Sequence, residues 1–292
     1  MTKEQQGELY ALLLSILESW FPILTIWAIA YVGAIHTYAY AIVVAILFFL
    51  VLSHRRKTLG RLLDKKARRD LLLTGLFITL LFLFVYIGLR YTTAGNMSLI
   101  IFLQLFFAYL YFNVFGKEKM VPVHTLGAFS MGIGALIVLF PEKFGGFNLG
   151  DGLILLAAAI APIANYYQQR ARLRVPSETV LLFRYLFALP LLFLFAHLFE
   201  PEPTISQIRS ALPWIVLSGL LVMGVAKILW VEALHRISIT KLSAMTALIP
   251  LFTLVFAYLF LGEVPTCRQL LGVPFILLGG ILITRPLRRL SR

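Results

Sequence analysis

Apolar residues run along this chain in blocks of about twenty, separated by short polar stretches, with no sustained alternation of the kind a half-buried strand shows. A helix rises 1.5 Å per residue, so about twenty apolar residues cross roughly 30 Å of hydrocarbon. On that template the pattern predicts ten membrane-spanning helices over residues 9–30, 35–53, 70–90, 95–114, 121–140, 151–170, 178–199, 211–231, 241–261 and 268–284. The intervening segments are too short for a soluble domain. The first eight residues carry Lys3, Glu4 and Glu8 and lack a basic leader with a short apolar core, so a cleaved signal peptide is not expected.

Composition agrees. Of 292 residues, 60% are hydrophobic and 13% charged, with a mean hydropathy of +0.91, against about 45–50% and about 25% in soluble domains. Disorder, a disulfide scaffold and a soluble Rossmann or barrel enzyme are excluded. Cys267 is the single cysteine, which rules out an intrachain disulfide and a cysteine-rich metal site.

The net charge of +13 would suggest nucleic acid in a soluble protein. Its distribution gives another cause. With the N-terminus in the cytoplasm, Arg90, Lys143, Arg209 and Arg268 fall outside, and Arg184 and Lys227 fall within spans. Every other Lys and Arg falls inside, as the positive-inside rule requires. Both termini are therefore expected in the cytoplasm, of a bacterial inner membrane, and a nucleic-acid partner is not. The basic segment 54–69 reads as a cytoplasmic loop, either solvated or touching anionic lipid as a short interfacial helix.

The chain also repeats itself. A shift of 145 residues places Leu89 on Leu234, Ser98 on Ser243, Leu103 on Leu248, Phe107 on Phe252, Glu118 on Glu263, Gly127 on Gly272 and Gly134 on Gly279. A shift of 143 places Gly7-Glu8 on Gly150-Asp151. The expected division is 1–145 and 146–292. Five spans per half is an odd number, so the second half enters the membrane inverted, an arrangement typical of transporters with a site near the midplane. With Glu118 followed by Gly127 and Gly134, and Leu261-Gly262-Glu263 followed by Gly272 and Gly279, the chain resembles the EamA-type members of the drug/metabolite transporter superfamily. The run Ala244-Met245-Thr246-Ala247-Leu248-Ile249-Pro250-Leu251-Phe252 is similar to that family's ninth span, and Gly7-Glu8-Leu9-Tyr10-Ala11-Leu12 fits its opening. The first half departs from the pattern, with Leu105 where Pro250 stands. The resemblance implies an all-α fold of two inverted five-helix repeats and a membrane transporter, without naming a substrate.

Charges in hydrocarbon are costly, about 2.5–3.5 kcal/mol on insertion scales, and so mark function. Glu18 lies at a depth of roughly 13 Å in the first span. Ser15, Glu18, Pro22 and Thr25 share its face, and Pro22 frees the carbonyl of residue 18. Glu18 carries a proton, binds a cationic group, or serves as a structural partner of Lys227. Lys227, with Gly224 and Trp230 on its face, binds an anionic substrate group, switches with Glu18, or snorkels to the headgroups. Trp230 could stack on substrate or anchor at the interface. Arg184 is expected to snorkel or meet helix-end carbonyls rather than contact substrate.

Ser243, Thr246, Pro250, Thr253 and Ala257 form a small-residue stripe that lines a pore or allows close packing. Pro162, Asn165 and Gln169 form another, with Asn165 the stronger ligand candidate. Tyr86 and Gln104 are further candidates. Gly127, Gly132, Gly134, Gly272, Gly279 and Gly280 point to tight packing of the fifth and tenth spans, with dimer contact as the lesser reading, so the chain is either a monomer or a homodimer. Glu118 and Glu263 read as helix caps.

The sequence has no P-loop, no HExxH and no Gly-x-Ser-x-Gly elbow. An enzyme and a cofactor are not expected. The reading is a secondary or facilitated transporter of a small amphipathic or zwitterionic metabolite, working by alternating access through a cavity lined mainly by spans 1, 3, 4, 6, 8 and 9, with export the direction the resemblance implies and proton coupling through Glu18 a further option. A lipid-headgroup translocase and a non-transporting assembly protein are the alternatives.

Overall fold

The computed structural model describes residues 1–115, 121–139, 148–237 and 239–285. Among these residues the chain is helical and has no strand. Nine helices are long and apolar enough to cross a membrane: α1 (Lys3–Val32), α2 (Ala34–Arg55), α3 (Arg68–Gly88), α4 (Ala94–Asn113), α5 (Pro122–Leu139), α6 (Leu149–Arg172), α7 (Ser177–Phe199), α8 (Ile205–Ala233) and α10 (Cys267–Thr284). Between α8 and α10 lies α9, which is split into Ile239–Thr246 and Ile249–Leu261. Large apolar side chains such as Leu47, Phe129, Leu136, Leu194 and Leu278 stay exposed on the outer surface. That is the surface a bilayer covers.

Three helix starts lie outside the hydrophobic blocks and are set by capping boxes: Thr2 with Gln5, Thr204 with Gln207, and Thr266 with Gln269. As a result α1 and α8 begin six residues before their expected edges at 9 and 211. In the basic segment, Leu59–Leu63 forms one tight turn, and Arg68 already belongs to α3.

The halves pack as a pseudo-symmetric pair. α5 lies against α10, α2 against α7, and α3 against α6 as α1 lies against α8. The α5–α10 seam requires its glycines. A Cβ on Gly127 would stand 2.8 Å from the Gly279 carbonyl oxygen, and one on Gly134 would stand 3.0 Å from the Gly272 carbonyl oxygen. Shifting the first contact by 145 residues gives the second with partners exchanged, which is the signature of a two-fold axis between the helices. Ser130 Oγ adds a hydrogen bond to the Phe275 carbonyl, 145 residues away, at 2.9 Å.

Among the described residues, three helices are interrupted near their middles. α1 breaks at Trp20, between Lys3–Ser19 and Phe21–Val32, because Pro22 has no N–H for the Glu18 carbonyl. α9 breaks before Pro250, which likewise has no N–H to continue the helix. α4 breaks at Leu103 without a proline. α8 carries a widened turn over Ser218–Val225, just before Lys227. Such irregular backbone is tolerated at membrane depth where it lines a cavity or is buried in protein.

Candidate functional site

The interrupted stretches of α1, α4, α8 and α9 meet at a cavity of about 430 Å³, within the usual size of small-molecule sites. Much of its wall is apolar: Phe21, Leu81, Phe82, Val85, Phe102 and Val222. α7 contributes as well, through Ser177, Val180, Leu181 and Arg184. The expected set of lining helices omitted it.

Glu18, Pro22, Gln104, Asn165, Arg184, Lys227, Trp230 and Thr246 all line this cavity. Lys227 Nζ donates to Glu18 Oε1 at 2.5 Å, joining two of the three charges that the sequence places inside spans. Their side chains keep 24% and 21% of their surface, so the pair stands at the cavity wall and is not sealed behind it. The first segment of α1 packs along the last part of α8, which sets Glu18 beside Lys227.

Ser15 and Tyr86 lie behind the wall. Ser15 is fully buried, with its hydroxyl within reach of the Ala11 and Met245 carbonyls at 2.9 and 3.1 Å, and it ties α1 to α9. Tyr86 is fully buried and stacked on Tyr38 with ring centroids 4.7 Å apart.

Arg184 does not snorkel. It is 4% exposed; Nη1 donates to Gln168 Oε1 at 2.8 Å and Nη2 to the Tyr185 hydroxyl at 2.9 Å. The guanidinium carbon stands 4.7 Å from the Tyr185 ring centroid, and Tyr185 in turn donates to the Met223 carbonyl in the widened turn of α8, at 3.1 Å. Neutral donors and acceptors close to its own helix offered a better site than the headgroups.

The α6 stripe is rotated by one position from expectation. Ala161, Asn165, Gln168 and Arg172 face the cavity, at four-, three- and four-residue steps, and Gln169 does not. Gln168, Arg172, Ser98 and Ser177 are lining residues that the sequence reading passed over. In α9, Thr246, Pro250 and Thr253 line the cavity and Ala257 is buried. The side chain of Ser243 lies outside the described set, as does Glu118. Glu263 caps α4, accepting from Ala94 N at 3.0 Å and Gly95 N at 3.3 Å.

Both ends of the site are bridged. At one end Lys241 Nζ reaches Glu4 Oε1 at 2.7 Å and also binds Glu8. At the other, Asp151 accepts from the Thr92 hydroxyl and from Asn96 Nδ2 at 3.1 Å. Gln269 Nε2 donates to Asn96 Oδ1 at 2.7 Å. Glu8 is equivalent to Asp151, and Lys241 to Asn96, under the repeat. Among the described residues no three His, Cys, Asp or Glu side chains gather as metal ligands.

A model of the EamA-like transporter family matches residues 5–140 and again residues 148–285. An uncharacterised transporter of Archaeoglobus fulgidus is 27% identical over 213 residues, covering 71% of this chain and 72% of that protein. A probable terminal-alkyne amino-acid exporter of Streptantibioticus cattleyicolor is 27% identical over 202 residues, 68% of this chain and 66% of its own length. An uncharacterised transporter of a Synechocystis strain is 26% identical over 138 residues, 47% of this chain and 40% of that protein. A protein of known crystal structure matches at a TM-score of 0.66 with 20% identity, over 96% of both chains, and supports the fold alone.

Proposed function

Because the chain belongs to the EamA-like transporter family, and is therefore a multi-pass membrane transporter and not an enzyme, we propose that it exports a small amphipathic metabolite of the amino-acid class by alternating access. The observation that carries this reading is the cavity between the halves, apolar over much of its wall, with the Glu18–Lys227 pair at its edge. The two end bridges support the cycle: opening one end requires parting Glu8 from Lys241, and opening the other requires parting Asp151 from Asn96 and Thr92. The relative from Streptantibioticus, named as an amino-acid exporter, favours amino acids as the first solutes to try. The membrane would be the cytoplasmic membrane, with both chain ends inside, as the positive charges are distributed.

The pair also offers a coupling device. Protonating Glu18 removes the charge that holds Lys227, loosens α1 from α8 and biases the inward–outward equilibrium. The test is uptake of labelled L-phenylalanine, L-leucine and L-propargylglycine by proteoliposomes, with and without a pH gradient. The wild type should take up at least one solute and respond to the gradient, and Glu18→Gln should lose that response. A gradient response undiminished in Glu18→Gln would remove the coupling role.

A further inference from the structure

Resting on the transporter reading, we propose that Arg184 is the anchor for a carboxylate on the substrate, so that the cavity selects organic anions or the carboxylate end of zwitterions carried on an apolar body.

Charge balance around the cavity makes the case. Lys227 has Glu18 at 2.5 Å. In the first turns of α3 and α7, the buried Asp70 has Arg170 and Arg174, and Glu178 has Arg56. Arg184 is 4% exposed, and among the described residues no carboxylate stands within 4.0 Å of it. Its partners, Gln168 and Tyr185, are neutral, and its Nε is buried with no acceptor among the described residues. A guanidinium cannot shed its proton to escape a low-dielectric site. An uncompensated buried charge is expensive unless something of opposite sign visits it.

The geometry suits that visitor. Gln168 and Tyr185 each take one N–H and fix the guanidinium plane, leaving further N–H groups for a planar two-oxygen acceptor. Arg172 lines the same cavity and adds a second positive charge, with no carboxylate within 4.0 Å among the described residues. Glu18, already held by Lys227, leaves the cavity formally cationic. Phe21, Phe82, Phe102 and Trp230 supply apolar surface for the rest of the molecule. The zwitterion that Glu18 and Lys227 suggest by themselves is thereby reassigned: its carboxylate belongs at Arg184.

The experiment measures binding of three isosteres to the purified full-length protein by isothermal titration: 3-phenylpropionate, 3-phenylpropionamide and 3-phenylpropylamine, with L-phenylalanine as the zwitterion. In the wild type, 3-phenylpropionate and L-phenylalanine should bind at least tenfold more tightly than the amide or the amine. Arg184→Gln should lose that preference, and Arg184→Lys should recover part of it, since a lysine supplies charge without the two-point fork. The wild-type comparison needs no variant to fold. Equal binding of acid and amide overturns the proposal while leaving a transporter of uncharged solutes. Unchanged acid preference in a folded Arg184→Gln overturns it and moves the anchor elsewhere. Preference for the amine, or occupancy only by phosphatidylglycerol supplied in nanodiscs, overturns it in favour of cationic or lipid cargo. Binding of none of the four also overturns it, and absence of solute uptake in the proteoliposome assay then separates failure of the transporter reading from failure of the anchor.

Discussion

Helices α4 and α9 break at equivalent positions by different means. In α4, Leu103 N turns back to the Ile100 carbonyl at 3.0 Å, and in α9, Leu248 N turns back to the Met245 carbonyl at 3.1 Å. One step later Phe107 N reaches the Leu103 carbonyl at 3.1 Å, and Phe252 N the Leu248 carbonyl at 3.0 Å. All four pairs are related by the same 145-residue shift. Yet α9 has Pro250 to enforce the interruption, whereas α4 has Leu105 at that place. The ends of the molecule differ in the same way. Glu8 with Lys241 is a half-exposed ion pair, and Asp151 with Asn96 is a buried carboxylate held by neutral donors. The backbone plan is common to both halves, and the side chains that stabilise it are not.

The largest effect should come from breaking what the halves share. Gly127→Leu drives a side chain into the Gly279 carbonyl, and overpacking against backbone costs about 1–3 kcal/mol. The α5–α10 seam should fail, read as loss of the monodisperse peak in detergent chromatography. Next, the two ends should respond unequally. Asp151→Ala removes the buried carboxylate that the half-buried Thr92 hydroxyl and Asn96 amide donate to, a loss of about 1.5–3 kcal/mol for hydrogen bonds to a charged group. Lys241→Ala removes two partly solvated pairs, to Glu4 and Glu8, each worth less than about 1 kcal/mol. Thermal melting should place Asp151→Ala well below the wild type and Lys241→Ala close to it. The smallest effect is expected from Leu105→Pro. Proline inside an intact helix costs about 3 kcal/mol or more, but α4 is already interrupted in the way α9 is, so the melting temperature should move little. A collapse of Leu105→Pro would mean that the α4 break is not the structural equivalent of the one at Pro250.

These contrasts explain what could be read from the sequence. The spans and the inverted repeat were legible, because hydropathy over twenty residues and the Glu118, Gly127, Gly134 spacing are properties of the chain itself. The starts of α1 and α8 were not, since hydrogen bonding continues through polar first turns that hydropathy scores as loop. Glu18 and Lys227 were found because a charge in an apolar block stands out. Their pairing depends on the packing of the first segment of α1 against α8, a long-range contact that no local pattern states. Gln168 was missed in favour of Gln169 because a one-residue rotation of a helix face cannot be fixed without its neighbours. Arg172 counts among the loop charges in the sequence because hydropathy ends that span at residue 170, whereas α6 runs on to Arg172. The burial of Arg184 depends on Tyr185 and on the widened turn of α8, which no local pattern announced.

The central claim is that the two ends open in turn around one cavity. Its most direct test is transport by a Cys267→Ser variant carrying Asn96→Cys and Asp151→Cys, before cross-linking with a short dithiol-reactive reagent, after it, and after reduction. Uptake should stop when that end is locked and return when the link is cut. Undiminished uptake with the lock fully formed would contradict the account.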